Sequence, residues 1–150
     1  METYFRKYRI MKADSDVKNV LTEDGLPKEA LATFHQYENQ TTVNLDDLRS
    51  ELGMTSWAVR IAYNDRFGGV VIQQQSGEGN RKHYHPHADE NWVILDGEWE
   101  WWIEGKGTQT VKTHDIIVVP KNIWHHIKCV KGPGVRYAIT QPDVEHVYEK

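Results

Sequence analysis

The apolar positions of this chain change period near residue 56. Ahead of that point they recur at helical spacing. Leu45, Leu48 and Leu52 form one stripe of a predicted helix over 44–53. Asn44 can cap it, Asp46 and Asp47 suit its positive end, and Gly53 can close it. A shorter helix is predicted over 28–34, with Pro27 at its first turn. Past residue 56 the pattern alternates: Trp57, Val59, Ile61 and Tyr63 point one way, Ala58, Arg60 and Ala62 the other. Further strands are predicted over 69–75, 81–85, 90–96, 98–104, 108–112, 115–119, 124–130 and 134–140. Turn signals separate them, among them Ser76-Gly77-Glu78-Gly79, Asp96-Gly97, Glu104-Gly105-Lys106-Gly107 and Lys131-Gly132-Pro133-Gly134. Many short strands at regular spacing predict an all-β sandwich or barrel of the jelly-roll class. Residues 1–55 are expected to form a partly helical extension that packs on the barrel or on a partner subunit, and 56–150 the barrel itself.

Composition narrows the picture. A chain of 150 residues suits one domain and can bury a core without disulfide staples. The formal charge of −4 is mixed along the chain, with no basic stripe, and no basic recognition helix follows the 44–53 segment, so nucleic acid is not expected as a partner. No apolar run approaches the roughly 18–20 residues that span a bilayer. The start of the chain, Met1 to Lys7, lacks the apolar stretch of a signal peptide, and the single Cys129 excludes an intrachain disulfide. A soluble, cytoplasmic protein is the expectation.

Eight histidines is a high count, and five of them (His83, His85, His87, His125, His126) fall in two short clusters. On a strand, His83 and His85 project from one face, roughly 7 Å apart at Cα, which suits two imidazoles converging on one ion. Pro86 ends that strand. Glu90 heads the apolar run Trp92-Val93-Ile94-Leu95, where a lone buried carboxylate is costly and coordination to a cation removes the cost. His125 follows the buried-type strand ending at Pro120 and shares a face with Ile127 and Cys129. Three imidazoles and one carboxylate fit Fe(II), Mn(II), Ni(II), Co(II), Cu(II) or Zn(II) better than magnesium or calcium.

The run Gly77, His83-x-His85, Glu90, Gly97 has the spacing of the first motif of the cupin superfamily, and the chain resembles that superfamily at each of those positions. The second motif is matched by Pro120 and His125 with the right gap. His114, Asn122 and Cys129 stand where the pattern has two glycines and an asparagine, and both Asn and His tolerate a positive φ. The resemblance covers about 56–142. It implies a double-stranded β-helix, a metal at the barrel floor and a homodimer. It does not select one activity, since similar cupins include dioxygenases, decarboxylases, isomerases, epimerases, lyases and binding or sensor modules.

The function expected from these residues is a metal-dependent enzyme acting on a small polar, carboxylate-bearing molecule. A dioxygenase-type oxygenase with Fe(II) stands first. A non-oxidative isomerase, lyase or decarboxylase, or a non-catalytic metal-dependent sensor, is the alternative. Arg81 shares strand parity with His83 and His85, and a guanidinium facing the barrel there would bind a substrate oxyanion. Tyr63, Tyr137 and His87 are the other pocket candidates, and none is singled out as general base. His126 is read as outer-face, His114 as a turn residue, and His35 and His146 as surface residues. Trp99 and Trp101 share one strand face and are read as core packing or a dimer face ahead of a substrate wall. Cys129 is read as a buried structural thiol.

Overall fold

A computed structural model describes residues 21–22 and 24–150. The first part of the extension expected over 1–55 lies outside the described residues. Helix α1 spans Leu45–Leu52 and is built as its sequence implies. The Asn44 side chain accepts from the backbone N–H groups of Asp46 (2.8 Å) and Asp47 (3.3 Å). Gly53, at φ +83°, closes the other end with its N–H on the Arg49 carbonyl.

The segment expected as a helix over 28–34 is a 3-10 helix over Lys28–Leu31 followed by turns. The physical reason is the competing edge of the first strand. Phe34 is fully buried, its carbonyl accepts from Arg60 N–H (2.8 Å), and Asn39 N–H donates to the Ile61 carbonyl (2.7 Å). Backbone groups that a longer helix would use are bonded to the sheet instead. Leu26, Ala30 and Phe34 pack on Ala58 and Ile72, so this part of the chain lies against the barrel.

Eight antiparallel strands follow: β1 (Trp57–Tyr63), β2 (Gly68–Gln74), β3 (His83–Tyr84), β4 (Glu90–Ile103), β5 (Gly107–Lys112), β6 (Ile116–Val119), β7 (His125–Thr140) and β8 (Val147–Tyr148). Two of them are longer than expected. The pairs 90–96 with 98–104 and 124–130 with 134–140 each merge into one bent strand, so Asp96-Gly97 and Lys131-Gly132-Pro133-Gly134 are bends rather than strand-separating turns. The register of β4 against β7 slips between Ile94 and Trp99, which marks a bulge that lets the paired strands turn a barrel corner. Gly97 sits in that corner at φ +85°, and a Cβ there would come within 2.8 Å of the Gly134 Cα and the Lys131 carbonyl. Only glycine fits.

Because β4 and β7 bend together, each contributes to both walls. One wall runs β1-β2-β7-β4-β6 through the later half of β7 and the early half of β4. The other runs β8-β3-β7-β4-β5 through the remaining halves. This is the double-stranded β-helix architecture. Between the walls lie Trp92, Ile94, Trp99, Trp101, Ile127 and Cys129, so Trp99 and Trp101 are core. Burial raises the Cys129 thiol, as expected of an unreactive one. A second cluster, with Tyr37, Leu48, Trp57, Val59 and Val135, joins α1 to the outer face of the β1–β2–β7 wall. Arg49 fastens the same helix: Nε donates to Gln73 Oε1 (2.8 Å), Nη1 to Asp96 Oδ2 (2.7 Å) and Nη2 to the Pro133 carbonyl (3.3 Å).

Candidate metal centre

His83 opens β3 and is paired in register with His125, which opens β7. Glu90 opens β4 opposite Val119 at the end of β6. His85 follows β3, and its carbonyl is held by Asn122 N–H (2.9 Å) in the turn before His125. Asn122 and His114 both take positive φ, so they serve the turns where the superfamily pattern carries glycine. All four side chains are buried, and one donor atom from each lies within 4.8 Å of the others.

The three imidazoles are held alike. Nδ1 of His83 meets the Arg81 carbonyl (2.6 Å), Nδ1 of His85 the Glu145 carbonyl (2.9 Å) and Nδ1 of His125 the Ile123 carbonyl (2.8 Å). A carbonyl oxygen only accepts, so each Nδ1 carries the hydrogen and each Nε2 presents a lone pair to the centre. Glu90 Oε1 lies 3.5 Å from His85 Nε2 and 3.4 Å from His125 Nε2. At those separations none of the three atoms has a hydrogen-bond partner, although all are buried. A buried donor or acceptor left without a partner costs about 1–3 kcal/mol, and three around one point is exceptional. Two donors each about 2.1 Å from a shared first-row ion sit roughly 3.0–3.4 Å apart, depending on coordination geometry. The residues therefore fit a divalent metal ion, and the donor set of borderline nitrogens and one carboxylate favours a transition metal.

Charge is arranged to match. Burial, aided by His125 and His146, pushes His83 down to about 2, so it stays neutral and able to ligate. Burial alone would raise the Glu90 carboxyl, but His125 and His85 outweigh it and hold the group well below the usual range. Burial works against the charged form of His85, yet Glu90 wins and raises it.

A cavity of about 80 Å³ opens beside the cluster, lined by His83, Glu90, Trp92, Tyr63, Arg136 and His146 among others. By general experience with buried water, it has room for a few water-sized groups. Of the four pocket candidates, only Tyr63 lines it, with its hydroxyl donating to the Asp143 carboxylate (2.9 Å). Arg81 does not face the barrel. It is exposed, its backbone N–H donates to Asp24, and its guanidinium lies 4.3 Å from the Tyr148 ring centroid. Strand β3 begins only at His83, so strand parity does not reach back to Arg81. Tyr137 packs over Gly69 within the α1 cluster and does not line the cavity. The His87 side chain is 75 % exposed beside Glu145.

Two residues of the site escaped the sequence reading. His146 is not a surface residue: its ring lies 4.9 Å from that of His83 and 4.5 Å from that of His85, and burial lowers it to about 4. Arg136 is buried in the cavity wall. Arg60 is buried as well, paired with Glu38 (3.0 Å) and stacked 3.5 Å from the Tyr63 centroid.

Fold and site together define a small β-barrel protein with a histidine-rich centre beside a partly open cavity. The cupin domain family matches residues 70–140, and this part of the chain is a cupin domain. Solved structures agree with the fold. A conserved protein with a double-stranded β-helix domain from Klebsiella pneumoniae superposes with a TM-score of 0.61 at 17% identity, covering 73% of this chain and 91% of that one. KdgF from Halomonas sp. gives 0.54 at 17% identity, over 58% and 80%. The DMSP lyase DddQ from Ruegeria pomeroyi gives 0.53 at 20% identity, over 71% and 55%. No curated protein matches the sequence. Among the described residues, no helix is long and apolar enough to cross a membrane.

Proposed function

We propose that this protein is a metal-dependent enzyme that acts on a small polar, carboxylate-bearing molecule, with Fe(II) as its ion and a dioxygenase-type reaction. The observation that carries the reading is the convergence of His83, His85, Glu90 and His125 on one point beside a small cavity, with unpartnered buried atoms on His85, Glu90 and His125. When bound, the ion would supply Lewis acidity and, as Fe(II), one-electron chemistry toward dioxygen. The chain's own residues do the rest. His83, His85 and His125 present fixed lone pairs, because their other ring nitrogens are tied to backbone carbonyls. Glu90 contributes the negative charge that holds a divalent cation in an apolar surrounding. Trp92, Val70 and Ile72 give the cavity an apolar wall. Tyr63 and Asp143 share a proton-bearing hydrogen bond in the same lining.

The test is elemental analysis of protein purified anaerobically without chelator, with His83→Ala beside it, followed by oxygen uptake on a panel of small organic acids. About one equivalent of iron, absent from the variant, together with substrate-dependent oxygen uptake is the expected result. One equivalent of metal with isomerisation, elimination or decarboxylation but no oxygen uptake places the protein among non-oxidative cupin enzymes. A saturable thermal shift without turnover makes it a binding module. No metal in either sample after reconstitution overturns the metal reading.

A further inference from the structure

We infer that Arg136 is the anion anchor of the cavity, and that the molecule bound there is a small 2-hydroxy or 2-oxo monocarboxylate whose carboxylate meets this guanidinium while its second oxygen faces the His83–Glu90 end. The inference rests on the metal reading above for the second contact only.

Arg136 is 2 % exposed, yet it forms no ion pair among the described residues. Its Nε (3.2 Å) and Nη2 (2.9 Å) both donate to one neutral acceptor, Gln74 Oε1. The remaining donors, Nη1 included, meet no protein acceptor among the described residues. Asp24 and Glu90 are near enough to support its charge, but neither is within ion-pair distance, and burial lowers it to about 10. A buried guanidinium is costly unless its charge and its donors are met, and a planar fork with donors to spare is matched best by a carboxylate.

Placement agrees. On β4, Glu90, Trp92 and Ile94 share one face, and Arg136 lies across from Ile94. Glu90 and Ile94 are separated by roughly 13 Å at Cα from strand rise. The Arg136 side chain lies along Trp92, its Cζ 4.1 Å from that ring's centroid, and so spans part of the gap. What is left between guanidinium and metal cluster is a short interval inside a cavity of about 80 Å³, with the buried and unpartnered Trp92 Nε1–H in its wall. A three-carbon acid suits that interval.

The competing role is structural, with Arg136 merely bracing Gln74 and Trp92. Calorimetric titration separates the two without relying on turnover. Zn(II)-loaded protein is titrated with lactate and pyruvate and with their uncharged counterparts, lactamide and pyruvamide, for the native chain, Arg136→Met and Arg136→Lys. The native protein should hold at least one acid tenfold or more tighter than its amide. Arg136→Met should lose that preference with its metal content unchanged, and Arg136→Lys should keep part of it. Equal binding of acid and amide to the native protein, no binding of any of the four, or an Arg136→Met variant that keeps the preference overturns the inference. If Arg136→Met fails to fold, the native acid–amide ratio and Arg136→Lys still decide. Metal uptake is read separately. A protein that takes no metal but shows the Arg136-dependent preference keeps the anchor and loses the metal reading. A protein that takes metal without the preference does the reverse.

Discussion

Replacing Glu90 by Gln preserves the side chain's shape and removes its charge, and the site geometry gives the effect opposite weights with and without metal. In the metal-free protein, Glu90 is opposed by His85 and His125 at 3.5 and 3.4 Å, too far for good hydrogen bonds. Exchanging such a buried charge for a neutral group of the same shape is close to neutral, because the cost of burying the carboxylate and its attraction to the imidazoles are removed together. The chelated variant should therefore lie within about 1 kcal/mol of the native protein, or roughly 2–4 °C in Tm for a chain of this size. The metal-bound protein behaves differently. Ion at a thousand times its Kd stabilises the native fold by about 4.1 kcal/mol, a rise of roughly 8–16 °C. Gln removes the only anion of the donor set. Outer-shell changes alone weaken metal sites about 10–100-fold, so a hundredfold loss is a modest expectation for a direct ligand. At the same metal concentration that leaves about 1.4 kcal/mol, or roughly 3–6 °C. Scanning calorimetry of both proteins, chelated and reloaded, reads all four states. Equal metal-induced shifts in the two would show that Glu90 does not ligate. A chelated variant melting more than about 10 °C lower would show that the carboxylate holds the fold, and the argument from its unpartnered oxygen would fail.

Three further outcomes are expected. Arg49→Ala strips the buried Gln73 Oε1 of its donor at a cost of about 1–3 kcal/mol, and the half-exposed pair with Asp96 adds less than about 1 kcal/mol. A fall of roughly 2–16 °C in Tm follows, whereas a change under about 1 °C would mean that α1 is not fastened through this residue. His125→Ala abolishes metal uptake while His87→Ala leaves it intact, as elemental analysis will read; loss in His87→Ala instead would move the ligand register. Between pH 6.5 and 4 the unfolded chain protonates His83 and His146 while the fold keeps them neutral, their folded values being about 2 and 4. The unfolded state then binds more protons, so stability of the metal-free protein falls with pH through that window. Discounting the partly exposed His146, the slope is on the order of 1–2 kcal/mol per pH unit, and protons also displace the ion below about pH 5.5–6. Urea titrations that give the same stability at pH 6.5 and 4.5 would contradict the burial of these two imidazoles.

The parts of this molecule that were legible in its sequence are those where one local rule acts alone. The α1 helix reads correctly because Asn44, the leucine stripe and Gly53 all say the same thing within ten residues. The cluster was legible because His83, His85 and His125 sit on or beside strands that bring them together, and because a carboxylate at the head of the apolar run Trp92-Val93-Ile94-Leu95 is costly to bury alone. Where two rules compete, the reading fails. Arg81 has the parity of His83, but the strand that parity presumes starts only two residues later. Arg136 lies in a stretch, Gly134 to Arg136, that is buried without alternation because β7 has the barrel interior on one side and α1 with its neighbours on the other. No period marks which face such a residue takes, and composition assigns an arginine outward by default. His146 follows Pro142 in an irregular segment with no period at all.

That irregular segment bears on how rigid the centre is. Two of the three histidines are fixed locally, by the carbonyl two residues before each: Arg81 for His83 and Ile123 for His125. Their rings are oriented by the same turns that begin β3 and β7, so they are set as soon as the barrel closes. His85 is different. Its Nδ1 is held by the Glu145 carbonyl, sixty residues away, and the same short stretch carries His146 against the His83 and His85 rings before pairing with β3 through Val147 and Tyr148. One imidazole of the cluster is thus oriented only when the segment after Pro142 is docked. The barrel can form with two imidazoles in place, while the third, and with it the full donor set, depends on a few hydrogen bonds and ring contacts near the chain's end. A segment with so few buried contacts sits at the low end of local stability. Loss of the ion under mild destabilisation is accordingly expected to begin there, at His85, before the walls that carry His83, Glu90 and His125 come apart.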